Sequence, residues 1–165
     1  MRSERATPVD LLLVCSSGGH LLQLVALEDV WAASTRTWVT FDKADARSLL
    51  DGEQVVFAHG PTNRSFGVLA LKNTLRNLVL AWRVLGRLRP RVVMTTGAGL
   101  AVPFAWVARL RGAKVVYVES LTRIDAPSLS CRLIAPVAHR VYGQWPDFAA
   151  AMRRARYVGR VISIR

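Results

Sequence analysis

The sequence predicts a doubly wound α/β domain with a mostly parallel sheet. Three observations predict it. Short apolar runs alternate along the whole chain with longer stretches of helical periodicity. The first run, residues 9–15, is continuously aliphatic, as a strand buried on both faces must be. Two of the runs lead directly into glycine-rich turns that open onto helical patterns.

Taken in order, residues 9–15 form the first strand and Ser16-Ser17-Gly18-Gly19-His20 the turn after it. A helix over about 21–32 carries Leu21, Leu24, Val25, Leu27 and Val30 on one side. β-Branched and aromatic residues at 35–41 predict the second strand. A short helix at 44–50 and a third strand at 54–58 follow. A long helix runs over about 66–88 and is stopped by Pro90. The fourth strand is 91–96, then Gly97-Ala98-Gly99 and a helix to about residue 110. The fifth strand is 113–118. Pro127 opens another helix at its first turn, and a sixth short strand lies near 140–142.

With 165 residues, 52% of them hydrophobic, the chain suits one well-packed domain, taken here as 1–165. The formal net charge of +12 invites an anionic partner, although mostly arginine rather than lysine carries it, as a GC-rich genome alone produces. Cys15 and Cys131 stand far apart, outside any CxxC or Cys/His cluster, so neither a metal nor another cofactor is implied. A reduced, intracellular setting fits them. Residues 1–8 are polar and charged, with no apolar run behind them long enough for a leader. The longest apolar run, 100–108, contains Pro103 and falls far short of the roughly 20 residues of a membrane span. No basic run interleaved with aromatics points to nucleic acid.

In a doubly wound sheet, ligands gather beyond the carboxyl ends of the strands. Three such loops carry conspicuous chemistry. Ser16 to His20 presents two glycines and a helix start, which suits a phosphate or diphosphate, or simply a tight turn. His20 at that start should feel the helix dipole, which favours a neutral imidazole able to act as a base; a structural histidine is the plainer reading. The second loop, Thr95-Thr96-Gly97-Ala98-Gly99, has the same form. Gly97 and Gly99, with Glu119 about 20 residues on, partly match a dinucleotide fingerprint, but Val102 stands where the third glycine belongs. The third is Glu119-Ser120-Leu121-Thr122-Arg123, either an ion pair that fixes the loop or a carboxylate for sugar hydroxyls or a base, with Arg123 for phosphate.

Ser17-Gly18-Gly19-His20, Thr95-Thr96-Gly97-Ala98-Gly99 with Val102-Pro103-Phe104, Tyr117-Val118-Glu119-Ser120, Arg123, Pro127-Ser128-Leu129 and Gln144-Trp145-Pro146 occur in that order. Together, over 11–159, they resemble the PssD family of bacterial exopolysaccharide proteins. They also resemble its eukaryotic relative, the membrane-anchor subunit of the two-part N-acetylglucosaminyltransferase that extends dolichyl-diphosphate-GlcNAc. The resemblance implies the Rossmann-like, acceptor-side N-terminal half of a GT-B glycosyltransferase such as MurG, completed by a separate PssE-like donor-binding subunit. It implies acceptor-diphosphate contacts at Ser17, Gly18, Gly19, Thr96, Gly97, Gly99 and Arg123, with His20 and Glu119 in catalytic positions. The reaction implied is inverting transfer: a base deprotonates an acceptor hydroxyl, which attacks the anomeric carbon as UDP leaves. The acceptor would be a polyprenyl-diphosphate-linked saccharide, and this half would be inactive alone. Two departures stand out. The eukaryotic subunit usually begins with a transmembrane helix, absent from this sequence, and its first loop commonly has a threonine or further glycine in place of Ser16-Ser17.

The long helix offers a route to lipid. Leu71, Leu75, Leu78, Leu85 and Leu88 follow helical spacing as one apolar face, Lys72, Arg76, Arg83 and Arg87 form a cationic stripe, and Val79 and Trp82 flank it. This suits an anionic membrane surface, peripherally at its cytoplasmic side, or a core-packed helix with a solvated flank. Met152, Arg153, Arg154, Arg156, Tyr157 and Arg160 make a basic tail, the part that in the resembled family holds the donor subunit, or a frayed terminal helix. A non-catalytic anchor of the same fold and a stand-alone nucleotide- or dinucleotide-binding domain are the competing readings.

Overall fold

The computed structural model describes residues 9–62 and 64–162. The stretch 1–8, read above as no leader, lies outside them. Seven strands form one parallel sheet: β1 (Leu11–Val14), β2 (Arg36–Phe41), β3 (Val55–Ala58), β4 (Val92–Thr95), β5 (Lys114–Val118), β6 (Arg140–Gly143) and β7 (Ala155–Tyr157), in the order β3-β2-β1-β4-β5-β6-β7. The winding reverses between β1 and β4, so the first and fourth strand ends lie side by side.

Alternation along β1 divides the core in two. Leu12 and Val14 face one layer, built with α4 (Gly67–Leu88), α5 (Ala101–Leu110) and α6 (Leu129–Ile134). Leu11, Leu13 and Cys15 face the other, built with α1 (Gly19–Val25), α2 (Glu28–Trp31) and α3 (Ala44–Leu49). Burial pushes the Cys15 thiol up to about 12, so it behaves as a small apolar side chain. Right-handed crossovers put α1 to α3 over β1 to β3 and α4 to α6 on the opposite face, so that among the described residues no helix covers the other side of β4 to β6. A groove of about 710 Å³ runs there over Met94, Val116, Val118 and Tyr142, edged by Val158 and Val161 of the tail.

Four sequence expectations need correction. The helix expected over 21–32 is two, because Trp31 Nε1 donates to the Leu24 carbonyl at 2.9 Å and Leu27 N–H closes a tighter turn onto the same oxygen. Pro127 does not open α6: Ser128 is its N-cap, its hydroxyl accepting from Cys131 N–H at 3.0 Å, so the proline lies one residue outside. Downstream, Pro146 takes the first turn of α7 (Pro146–Ala151), and the tail is then strand rather than helix, Ala155–Tyr157 pairing with β6.

The fourth correction concerns α4. It ends where Arg89 turns left-handed (φ 47°) ahead of Pro90. Its buried face is Ala70, Asn73, Asn77, Ala81, Val84 and Leu85. The five leucines therefore do not share a face: Leu85 and Leu88 pack on the core, while Leu71, Leu75 and Leu78 stand in solvent beside Val79 and Trp82. Lys72, Arg76, Arg83 and Arg87 are exposed along one flank of these apolar residues. Among the described residues, no helix is long and apolar enough to cross a membrane.

This division has a measurable consequence. Leu85 is 2% exposed and Leu75 is 56% exposed. In urea unfolding, Leu85→Ala is expected to lose about 2 to 5 kcal/mol and Leu75→Ala less than about 0.5 kcal/mol. Equal losses would mean that α4 packs by its leucine stripe after all.

Candidate functional site

A cavity of about 960 Å³ lies beyond the carboxyl ends of β1 to β4. Ser16, Ser17 and His20 border it from the first turn, and Ala98 and Gly99 from the second. The loop after β2 contributes Lys43, the connection after β3 contributes His59 to Thr62, and α4 contributes Asn73 and Arg76.

The two glycine turns are clamped together. His20 Nδ1 lies 2.7 Å from the Thr96 carbonyl, and the Thr96 hydroxyl donates back to the His20 carbonyl at 2.7 Å. A carbonyl only accepts, so Nδ1 carries the proton and Nε2 keeps its lone pair. Burial holds the imidazole below its ordinary 6.5, against the opposing pull of the Thr96 bond and the Glu119 charge. The sequence reading looked to the helix dipole for this effect; desolvation is the main cause. His20 is thus a neutral imidazole at the cavity edge with an unprotonated Nε2, the state a general base needs.

Glu119 has a different place from the one its sequence suggests. It is 0% exposed and does not border the cavity. Oε1 accepts from the Tyr117 hydroxyl (3.1 Å) and Ser120 N–H (2.9 Å), and Oε2 accepts from Ser128 N–H (2.9 Å). These contacts turn the carboxylate towards the 120–128 loop and not into the cavity, where the sequence reading expected it to meet sugar hydroxyls or orient a base. Nor does Glu119 pair with Arg123. That arginine is exposed and does not border the cavity, and among the described residues only its backbone N–H is engaged, with the Ser120 carbonyl.

The Glu119 contacts reach the second glycine turn through Tyr117. Its hydroxyl, also 3.2 Å from Ser128 Oγ, lies 2.8 Å from where a Cβ on Gly97 would stand. Gly97 also has φ +104°, so both its backbone and its neighbour require glycine. Its N–H is taken by Thr95 Oγ1 at 2.9 Å. Ala98 follows at φ +71°, a left-handed conformation uncommon for alanine. Gly99 lies against Thr62, whose carbonyl would be 2.8 Å from an added Cβ.

One donor of the first turn is taken by the protein itself. Gly18 N–H donates to Asp45 Oδ2 at 2.6 Å, so a carboxylate from α3 sits where the sequence predicts a phosphate. Gly19 and Ser17 flank this contact, and Thr96 is wholly buried.

Sequence reasoning missed several residues. Lys43 and His59 follow strands two and three, and the rule that ligands gather at strand ends marks those loops as well. Gln23 and Gln144 are buried and joined at 2.7 Å; Gln23 Oε1 also accepts from Leu121 N–H, and Gln144 reaches the Glu119 carbonyl and Val161 N–H. Nothing in one-dimensional spacing pairs two glutamines so far apart.

The fold is of a recognisable class: a parallel, Rossmann-like α/β sheet similar to the N-terminal halves of GT-B glycosyltransferases. The chain superposes on MurG of Acinetobacter baumannii with a TM-score of 0.72, covering 90% of this chain and 45% of that one at 18% identity. It superposes on the UDP-GlcNAc 2-epimerase of Methanocaldococcus jannaschii with a TM-score of 0.68, covering 91% and 45% at 15% identity. The chain thus spans less than half of these proteins, and the likeness is one of fold. Within that class, the family described as "Oligosaccharide biosynthesis protein Alg14 like" matches residues 11–161, and the chain belongs to it. The UDP-N-acetylglucosamine transferase subunit ALG14 of Eremothecium gossypii is 31% identical, covering 96% of this chain and 82% of that protein. The human subunit of the same name is 24% identical, covering 98% and 88%.

Two outcomes are expected. Because His20 is held below its unfolded value of 6.5, the unfolded chain binds the proton more readily; its contribution to stability is full above about pH 6.5 and falls as pH drops below it. Urea unfolding between pH 7.5 and 5 should show a loss that His20→Gln flattens, and an identical pH slope in the variant would contradict a neutral, buried imidazole. Separately, Gly97→Ala should cost about 1 to 3 kcal/mol, and Ala98→Gly should be neutral or stabilising by up to about 1 kcal/mol. Thermal unfolding checks both signs.

Proposed function

We propose that this chain is the acceptor-binding, membrane-recruiting half of a two-component inverting glycosyltransferase. It acts with a PssE-like donor-binding subunit to move a sugar from a UDP-sugar onto a polyprenyl-diphosphate-linked saccharide. The observation that carries the reading is His20. In an Alg14-like chain with the fold of a GT-B acceptor half, a neutral imidazole with a free Nε2 faces the strand-end cavity where an acceptor hydroxyl must lose its proton. The relatives' name specifies UDP-N-acetylglucosamine, and N-acetylglucosamine is the sugar to try first. The likeness of its motifs to PssD supports an exopolysaccharide setting as the bacterial version of the same chemistry.

Chemistry divides between the chains. His20 takes the acceptor proton as the hydroxyl attacks the anomeric carbon and UDP departs on the partner's side. Thr96 fixes the imidazole tautomer, and Glu119 with Tyr117 holds the second turn in register beneath it. Ser17, Gly19 and Gly99 shape the cavity wall against which the acceptor lies, while Gly18, Gly97 and Thr96 set the turns; Arg123 stands clear of the cavity as a contact for the closing partner. The groove over β4 to β6 and the basic tail beside it are the surfaces for the donor subunit.

Recruitment falls to α4. Leu71, Leu75, Leu78 and Trp82 form an exposed apolar strip with Lys72, Arg76, Arg83 and Arg87 along its flank, and Arg111 stacks 4.1 Å over the Trp82 ring. Such a strip inserts shallowly into anionic lipid while the cations meet headgroups, placing the protein peripherally on the cytoplasmic face.

The test is transfer of labelled N-acetylglucosamine to a polyprenyl-diphosphate-linked GlcNAc by this chain co-purified with its host's donor-binding subunit. Transfer is expected only with both chains, and His20→Asn should lower kcat by about a hundredfold or more. An unchanged kcat in that variant would make the chain a non-catalytic anchor, and failure to recover a donor subunit would end the split-enzyme reading. On vesicles containing phosphatidylglycerol, Leu75→Glu with Trp82→Glu should abolish co-sedimentation; retained binding would remove α4 from the membrane surface.

A further inference from the structure

We propose that the diphosphate of the lipid-linked acceptor is bound by a basic wall of Lys43, His59 and Arg76, and not by the first glycine turn. This rests on the acceptor-binding reading above and locates its anionic subsite. Both turns that the sequence assigns to phosphate have already used a key donor: Gly18 N–H is satisfied by Asp45 and Gly97 N–H by Thr95. The Asp45 carboxylate also makes the first turn locally anionic, which repels a diphosphate.

Elsewhere the lining of the same cavity holds basic side chains, and its one carboxylate, Asp42, is already paired with Arg47. Lys43, His59 and Arg76 all border the cavity, from three different elements. Among the described residues, neither Lys43 nor Arg76 has an ion-pair partner, whereas Arg36, Arg47 and Arg91 are paired with Glu53, Asp42 and Asp10. The wall is also built deliberately into the fold. Asn77, wholly buried in α4, accepts from His59 N–H at 2.9 Å and donates to the His59 carbonyl at 2.8 Å. Asn73, one turn earlier and also buried, donates to the Pro61 carbonyl at 3.0 Å. Two buried amides spent on one short connection fix His59 against α4, with Arg76 next to Asn77 and one turn after Asn73 on the same helix.

Arg76 also explains how a lipid substrate arrives. It belongs both to the cavity lining and to the cationic flank of the exposed apolar strip, directly after Leu75. A polyprenyl chain lying along that strip brings its diphosphate to Arg76, where the planar fork can hold two oxygens at once. Lys43 and His59 then take the remaining oxygens, and the attached sugar extends across the cavity towards His20.

The experiment is calorimetric titration of the purified chain with farnesyl diphosphate, farnesyl monophosphate and UDP. The expected result is saturable binding of farnesyl diphosphate, about tenfold tighter than the monophosphate and tighter than UDP. Lys43→Gln and Arg76→Gln should each weaken it about tenfold, with recovery in Lys43→Arg and only partial recovery in Arg76→Lys, which keeps the charge but loses the fork. Lys114→Gln, the same charge change at the amino end of the sheet, should bind as the unaltered protein does. Unimpaired binding in both glutamine variants, or equal affinity for the mono- and diphosphate, overturns the subsite while leaving sugar transfer by the two-chain enzyme untouched. Equal affinity for UDP would assign the wall to the donor's diphosphate and overturn it as well. Absence of binding by the unaltered protein, together with absence of transfer, would remove the acceptor reading itself.

Discussion

The contact on which the site depends is the reciprocal pair between His20 and Thr96. The two residues are 76 positions apart, yet the change of winding direction sets β1 and β4 side by side, so their carboxyl-end turns meet. Each backbone carbonyl accepts from the other residue's side chain. One pair of bonds thereby aligns two glycine turns, fixes which imidazole nitrogen is protonated and leaves the other with its lone pair. A parallel sheet makes such a contact possible, because every strand delivers its following loop to the same edge.

Beneath that pair lies a polar scaffold out of reach of solvent. Glu119 gathers Tyr117, Ser120 and Ser128; Gln144 joins Gln23, the Glu119 carbonyl and the tail. A buried carboxylate left unpaired is costly, whereas one with three donors is tolerable and rigid. Burial raises the Tyr117 hydroxyl far above its usual range, so it remains a fixed donor rather than a titrating group. Glu119 thus sits at a strand end beside the site and faces inward.

The long helix α4 performs three tasks with three faces. Its small and aliphatic residues pack on the sheet, its buried asparagines hold the connection after β3, and its outer leucines with Trp82 stay in solvent beside a line of cations. Large apolar side chains grouped on one exposed helix face suit an interaction surface. The groove over β4 to β6 is a second region that no helix covers among the described residues, because the crossovers between those strands all pass on the other side.

Much of this protein was legible in one dimension, because the signals were local. Buried parallel strands read as aliphatic runs, as at 9–15 and 113–118, and the turns after them announced themselves through glycine and His20. The amphipathic character of the long helix was visible too, since periodicity needs only spacing. Which way that helix faced was not visible: Leu75 and Leu85 look alike until the sheet claims one side. The break at Ala26–Leu27, the cap at Ser128 and the strand in the arginine-rich tail likewise depended on partners distant in sequence. Tertiary structure alone decided that Asp45 accepts from Gly18 N–H, that the Glu119 carboxylate turns towards Tyr117, Ser120 and Ser128, and that Lys43, His59 and Arg76 border one cavity. Composition and spacing determine what a segment can form, but the direction and partner of a polar side chain are set only when strands from remote parts of the chain are brought edge to edge.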